Sequence, residues 1–191
     1  MSDVVNIGEA QGSRWISILR AVDAIVIPDG YPTTLEANEQ VRLTQQLGDS
    51  FTVMNVRGQL FRISGNDADA LGKDKPAASE IPVLTEGKTL EDLVWEQMRT
   101  TYDPEIPVNI VDLGLIYGCE ITALPDGGHK VDVKMTLTAP GCGMSGVLKA
   151  DVETKIRSLP DVKEAFVDIT FDPPWSQDRM TEAARLQLGM L

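Results

Sequence analysis

Cys142 is the residue of this chain best placed to do chemistry. It lies in Thr138-Ala139-Pro140-Gly141-Cys142-Gly143-Met144, between residues that alternate as a strand and residues that recur as a helix. A thiol at a helix N-terminus meets unpaired N–H groups and the positive end of the helix dipole. This favours the thiolate, the form that attacks electrophiles and ligates metals. Gly141 and Gly143 let backbone, partner or ligand come close. The competing reading is a small buried hydrophobe, the usual fate of a free cysteine; the glycine-rich surroundings favour function. Cys119 reads the other way, because it alternates with Tyr117 and Ile121 on one strand face and is expected only to pack. A cysteine enzyme needs a base, and His129 is the only histidine. It opens the strand whose far end leads to Cys142, roughly 25 to 30 Å away at ~3.3 Å per residue, so no Cys-His dyad is expected within one chain. An Asp or Glu base has no spacing signature here.

A second constellation is acidic. Asp103, Glu105 and Asp112 lie on a proline-containing stretch, where carboxylates can bind metal, position a thiol, or merely terminate a helix and cap backbone. Met144 could be a soft ligand, but its spacing assigns it to packing. Trp175, after two prolines, reads as a hydrophobic staple for a last helix. Asp67 and Asp69 beside a glycine read as a turn or a cap, not as a metal site.

The elements that must position these residues differ between the two halves. Thr89 with Asp92 three residues later resembles a capping box, and Leu90, Leu93, Val94 and Met98 recur at helical spacing, which predicts a helix over 89–100. Asp103-Pro104 stops it. Strands follow at 116–123 and around Val131, Val133, Met135 and Leu137, joined by Pro125-Asp126-Gly127-Gly128 as an antiparallel hairpin. Met144, Leu148, Val152, Ile156 and Leu159 mark a helix, and Ala165, Val167, Ile169 and Phe171 a third strand. That strand should lie parallel to the second across the helical crossover. A short helix begins near Ser176. The N-terminal half instead shows short β-like runs at 22–27, 41–45, 51–56 and 60–63, with a hairpin turn at Asn55-Val56-Arg57-Gly58. We therefore expect an α+β chain: a small all-β domain (a sheet or partly closed barrel) over 1–72, a Gly/Asp/Lys/Pro-rich linker over 73–82, and an α+β domain over 83–191.

Composition narrows the partners. With 17 Lys and Arg against 29 Asp and Glu, the net charge of -12 repels phosphate backbones and anionic lipid, so nucleic acid and membrane are not expected partners. No run is apolar enough for a membrane span, and the opening MSDVVNIGEA lacks signal-peptide character, so a cytoplasmic location is expected. Two cysteines exclude a disulfide framework and any closed four-cysteine site within one chain.

Several segments together resemble a known family. Asp103-Pro104-Glu105-Ile106-Pro107, Val111-Asp112-Leu113-Gly114-Leu115-Ile116-Tyr117, Thr138-Ala139-Pro140-Gly141-Cys142, Phe171-Asp172-Pro173-Pro174-Trp175 and Met180-Thr181-Glu182-Ala183-Ala184-Arg185 are similar, in this order, to the PaaD-like metal-sulfur cluster biosynthesis family. Val22 to Gly30, Val41 to Leu47 and Asp67 to Gly72 extend the likeness to its SufT-like branch, which adds a β-rich domain. The resemblance implies maturation of iron-sulfur proteins or transfer of clusters to clients, alongside Suf cluster assembly proteins. It implies that Cys142 is the functional cysteine, with Asp112 and Glu105 in the adjoining acidic positions and Thr138, Gly141, Gly143 and Met144 in the supporting loop. Family members often carry proline directly after the cysteine; this chain carries Gly143-Met144, a more flexible pair.

Ligand arithmetic adds a restriction. An iron-sulfur cluster takes about four ligands, and this chain offers one well-placed thiolate. The cluster would be transient or would bridge chains, in a homodimer pairing two Cys142 residues or in a complex with a client. No phosphate-binding loop is present, so energy coupling would belong to a partner. Two alternatives stand beside this reading: a metal-free adaptor that docks clients to the assembly machinery, and a cysteine-nucleophile enzyme.

Overall fold

The computed structural model describes residues 15–77, 87–103, 106–139 and 143–190. The architecture is α+β, with two sheets and few helices. Six strands build the first sheet: β1 (Trp15–Ser17), β2 (Val22–Ile27), β3 (Pro32–Leu35), β4 (Gln40–Leu47), β5 (Ser50–Asn55) and β6 (Leu60–Ser64). Their order is β1-β4-β5-β6-β2-β3, so the sheet is open with β1 and β3 at its edges. Alternation drives the assembly, because Val22, Ala24 and Val26, Phe51 and Val53, and Phe61 and Ile63 all turn inward. Each of the valines, phenylalanines and Ile63 in this set contributes about 1.5–3 kcal/mol on burial. Ile18, Leu35 and Val41 complete this core with Ala68, Ala70 and Leu71 from a 3-10 turn at Gly65–Leu71. Ser64 caps that turn by accepting from the Asn66 amide. Asp67 and Asp69 lie in this turn, as the turn reading expects, and both also bind the Arg20 guanidinium, at 2.9 and 2.6 Å. A left-handed Gly72 ends the turn.

The second unit contains α1 (Leu90–Arg99), β7 (Ile116–Ala123), β8 (His129–Met135), α2 (Ser145–Arg157), β9 (Val162–Ile169) and α3 (Glu182–Gln187). The expected capping box is present: Thr89 accepts from the Asp92 amide, and the Asp92 carboxylate accepts from the Thr89 amide. β7 pairs antiparallel with β8, and β8 pairs parallel with β9 across the α2 connection. Leu93, Val94 and Met98 of α1 and Leu148, Val152 and Ile156 of α2 share one core with Val131, Val133, Met135, Ala165 and Val167. Among the described residues, none belongs to both this core and that of the first sheet. Of the linker expected at 73–82, residues 78–82 lie outside the described residues.

Two expectations about the strands need correction. Tyr117 does not share a core face with Cys119 and Ile121, because a register shift between Ile116 and Gly118 inserts one residue and rotates it away. Its ring instead stacks under the Arg179 guanidinium at 4.0 Å, and its hydroxyl donates to the Pro173 carbonyl. Phe171 does not extend β9, which ends at Ile169; it lies 45% exposed.

Candidate functional site

The loop after β8 leads to the α2 N-terminus. Cys142, Gly141 and Glu105 lie outside the described residues, whereas Thr138, Gly143, Met144 and Asp112 are described. Thr138 is half-buried at a bend, and Met144 is buried as expected, although it belongs to neither contiguous core. Met144 also occupies the N-cap position of α2 and makes no side-chain capping bond; the first turn carries no acidic residue. The first N–H groups of α2 are thus not satisfied by the usual side-chain oxygen. In sequence, Cys142 stands two residues before this cap, at the positive end of a 13-residue helix's dipole.

Asp112 sits in a tight loop that the sequence builds around Asn109. The Asn109 side-chain oxygen accepts from the amides of Val111 and Asp112, and its Nδ2 donates to Asp112 Oδ2 at 2.6 Å. The Asp112 carbonyl accepts from the Thr181 amide. One carboxylate oxygen is therefore held by Asn109, and no described group bonds the other. Among the described residues, no hydrogen bond joins Asp112 to Thr138, Gly143 or Met144, and no three His, Cys, Asp or Glu side chains are grouped to hold a metal ion. Asp103, the third acidic position, is buried and accepts from the Ile106 amide, which is the capping role weighed for it.

The other titratable candidates separate by environment. Cys119 packs against the core, and burial, with a smaller contribution from the Glu91 charge, pushes its thiol up to about 11. A thiol so protonated is a poor nucleophile. His129 opens β8, at the end opposite the Thr138 loop, and its Nδ1 is buried without a partner.

One contact was not foreseen from sequence. The turn between β2 and β3, Pro28 to Tyr31, rests against Gly143. A Cβ on Gly143 would collide with the Asp29 carbonyl oxygen and lie 2.8 Å from its carbon; a Cβ on Gly30 would collide with the Gly143 carbonyl oxygen. The signal available in the sequence was Gly143 itself, standing where proline is common.

Comparison with known proteins identifies the second unit. Residues 91–169, from α1 to the end of β9, match the iron-sulfur cluster assembly protein family. The chain is 49% identical over 104 residues to an Fe-S protein maturation auxiliary factor of Porphyromonas gingivalis, covering 54% of this chain and 94% of that protein. It is 35% identical over 88 residues to the Fe-S protein maturation auxiliary factor SufT of Staphylococcus aureus, covering 46% of this chain and 96% of that one. The chain belongs to the SufT-like family of iron-sulfur cluster assembly proteins. A crystal structure of a domain of unknown function, DUF59, from Bacillus anthracis is 36% identical, with a TM-score of 0.46, covering 53% of this chain and 93% of that one. The SufT-like relatives are thus spanned almost end to end by about half of this chain, which leaves these two no room for the added β-rich domain expected of the SufT-like branch; in this chain the six-stranded sheet precedes the matched family region.

Proposed function

We propose that this protein matures iron-sulfur proteins in the cytoplasm, with Cys142 as the residue that holds iron or a cluster in transit to a client. The observation that carries the reading is the close match of the second unit to proteins named as Fe-S protein maturation auxiliary factors. The open start of α2 supports the chemistry. A thiolate near a helix N-terminus is stabilised by the helix dipole, and a thiolate is a good ligand for iron. Asp112, with one oxygen fixed by Asn109, and Glu105 are the oxygen donors assigned to the same cargo.

The cluster is cargo, not a resident group. One thiolate and one or two carboxylates fall short of the ligands a cluster requires, so the remainder comes from a second copy, a Suf scaffold or the client. Such incomplete ligation suits transfer, because the client's cysteines can replace the donors one at a time. The protein acts without turning over a small substrate.

Transfer to an apo-ferredoxin, followed by visible circular dichroism, tests the reading. Wild type should speed ferredoxin maturation from a reconstituted scaffold, and Cys142→Ser should not. Equal acceleration by both proteins would remove the cysteine from the mechanism and favour a metal-free adaptor.

A further inference from the structure

A β-sheet edge presents a row of unpaired N–H and C=O groups, which proteins shorten, cover or pair. The four edges of this molecule are treated unequally. β1 and β3, at the edges of the first sheet, span only three and four residues. β9, eight residues long, is covered from α2: Glu153 accepts from the Val167 amide at 2.9 Å, and Arg157 donates to the Ala165 carbonyl at 3.0 Å. Standing one turn apart on α2, these two side chains close the outward groups at the middle of β9. β7 is also eight residues long and lies at the opposite edge. Among the described residues, no group outside β8 hydrogen-bonds the backbone of this strand.

The ladder decides which groups of β7 face outward. The His129 amide donates away from β7, to the Asp161 carbonyl, whereas the Thr136 amide donates toward β7, to the Leu115 carbonyl. Odd-numbered residues of β8 therefore bond β9, and even-numbered ones bond β7. Ala123, Ile121 and Cys119 stand opposite His129, Val131 and Val133, so their N–H and C=O groups point to the open side. On the core face, Cys119 and Ile121 pack against the core yet stay only partly buried. Glu120, Thr122 and Ala123 are exposed. The bulge between Ile116 and Gly118 bounds the straight part of the strand on one side, and the turn closed by the Leu124 amide on the Gly128 carbonyl bounds it on the other. The midpoint of the outward row is Ile121.

We propose that the outer edge of β7 pairs with the same edge of a second copy, antiparallel and centred on Ile121. A two-fold axis there sets Ile121 opposite itself and Cys119 opposite the partner's Ala123 on the core face, with Glu120 opposite the partner's Thr122 on the outer face. Each outward residue exchanges N–H and C=O with the residue opposite, about six hydrogen bonds in all. Neighbouring registers fail. Centring on Glu120 sets two carboxylates opposite each other. Centring on Cys119 brings Tyr117 into the ladder, but the bulge has turned that residue toward Arg179 and Pro173. The Ile121 register also places Lys130, opposite Thr122 on β8, about 10 Å from the partner's Glu120 across Thr122, an attraction that the two-fold repeats. Met135, at the C-terminal end of β8, stands opposite Ile116. The two Met135 residues of the dimer therefore lie more than about 30 Å apart, and the Thr138 loops that follow leave from opposite ends of the joined sheet. Such a dimer offers its loops to two clients, and the ligands that each loop lacks come from a scaffold or a client. That consequence rests on the proposed function; the pairing does not.

Sedimentation equilibrium of the full chain with chelator and no metal, joined to amide exchange, tests the pairing. At about 100 μM the wild type should approach twice its 20.8 kDa, and the amides of Cys119, Ile121 and Ala123 should exchange more slowly than in dilute protein. Ile121→Lys sets two ammonium groups opposite each other, and Ala123→Pro removes one outward N–H and none from the β7–β8 ladder. Each should weaken association about tenfold or more, and Ile121→Val should not. A monomer at this concentration, or a dimer whose three amides exchange as fast as in dilute protein, would overturn the proposal whether or not the variants fold. Slower exchange that appears only on adding apo-ferredoxin would also overturn it and assign the edge to a client strand. With no metal present, the two readings fail separately: a monomer that gains iron through Cys142 would remove the dimer alone, and a dimer that binds iron equally well as Cys142→Ser would remove the cysteine's role alone.

Discussion

The Trp175 indole N–H donates to the Leu113 carbonyl at 2.8 Å, joining two segments that lie 62 residues apart. Around this bond the C-terminal segment is fastened to the loop that carries Asp112. Thr181 donates to the Asp112 carbonyl, and the Arg179 side chain donates to the Gly114 carbonyl. The part assigned to Trp175 from sequence, stapling the last helix, is narrower than the one it has. Trp175→Phe keeps most of the packing and leaves the Leu113 carbonyl unpaired, which should cost about 1–2 kcal/mol. Urea denaturation measures it, and an unchanged midpoint would show that the bond is dispensable.

Gly114 tests the same fastening from the other side. It has φ +70°, and a Cβ there would collide with the Arg179 carbonyl oxygen and lie 2.7 Å from its carbon. Gly114→Ala therefore combines backbone strain with a clash and should destabilise by about 2–4 kcal/mol. It should also release the C-terminal segment, seen as rapid amide exchange at Thr181. Slow exchange at Thr181 in the variant would contradict this account.

Much of this arrangement was legible in sequence, and the failures share a cause. α1 was readable because Thr89 and Asp92 cap it through local bonds. The parallel pairing of β8 and β9 was readable because an α2-length crossover allows it. β1 and β3 escaped notice: they are edge strands of three and four residues, too short to show a period. The bulge at Tyr117 escaped because alternation continues on either side of it. Of the site, Asn109 and Thr181 as holders of Asp112, and the turn on Gly143, depend on contacts between residues distant in the chain, which no spacing rule encodes.

Lys155 is buried among Asp49, Asp151 and the Thr101 hydroxyl, and these partners come from both the first sheet and the second unit. Lys155→Met leaves two half-buried carboxylates without their shared cation and should cost about 2–4 kcal/mol. Asp49→Asn should cost less, because Asp151 retains both Lys155 and Arg62. Equal losses in the two variants, by chemical denaturation, would mean that the charges do not act as a network.

Cys119 predicts a pH signature. Its thiol is raised from 9.0 to about 11, first by burial and then by Glu91. Below pH 9 both folded and unfolded chains keep the proton, and the group contributes nothing to pH dependence. Between pH 9 and 11 the unfolded chain loses the proton while the folded chain holds it, so stability falls as pH rises. Wild type should therefore lose more stability than Cys119→Ala between pH 8 and pH 11. Parallel loss in both would show that the thiol is not shielded in solution.

The central claim is that Cys142 holds the cargo. Anaerobic reconstitution of wild type and Cys142→Ser, following iron and sulfide per chain, visible absorption and native mass together, tests it most directly. Wild type should acquire iron and sulfide at less than a full cluster per chain, with the mass of a dimer or of a chain carrying an external thiol. Cys142→Ser should acquire none while keeping its far-ultraviolet circular dichroism. Full iron and sulfide retention in Cys142→Ser, or none in either protein, would contradict the account.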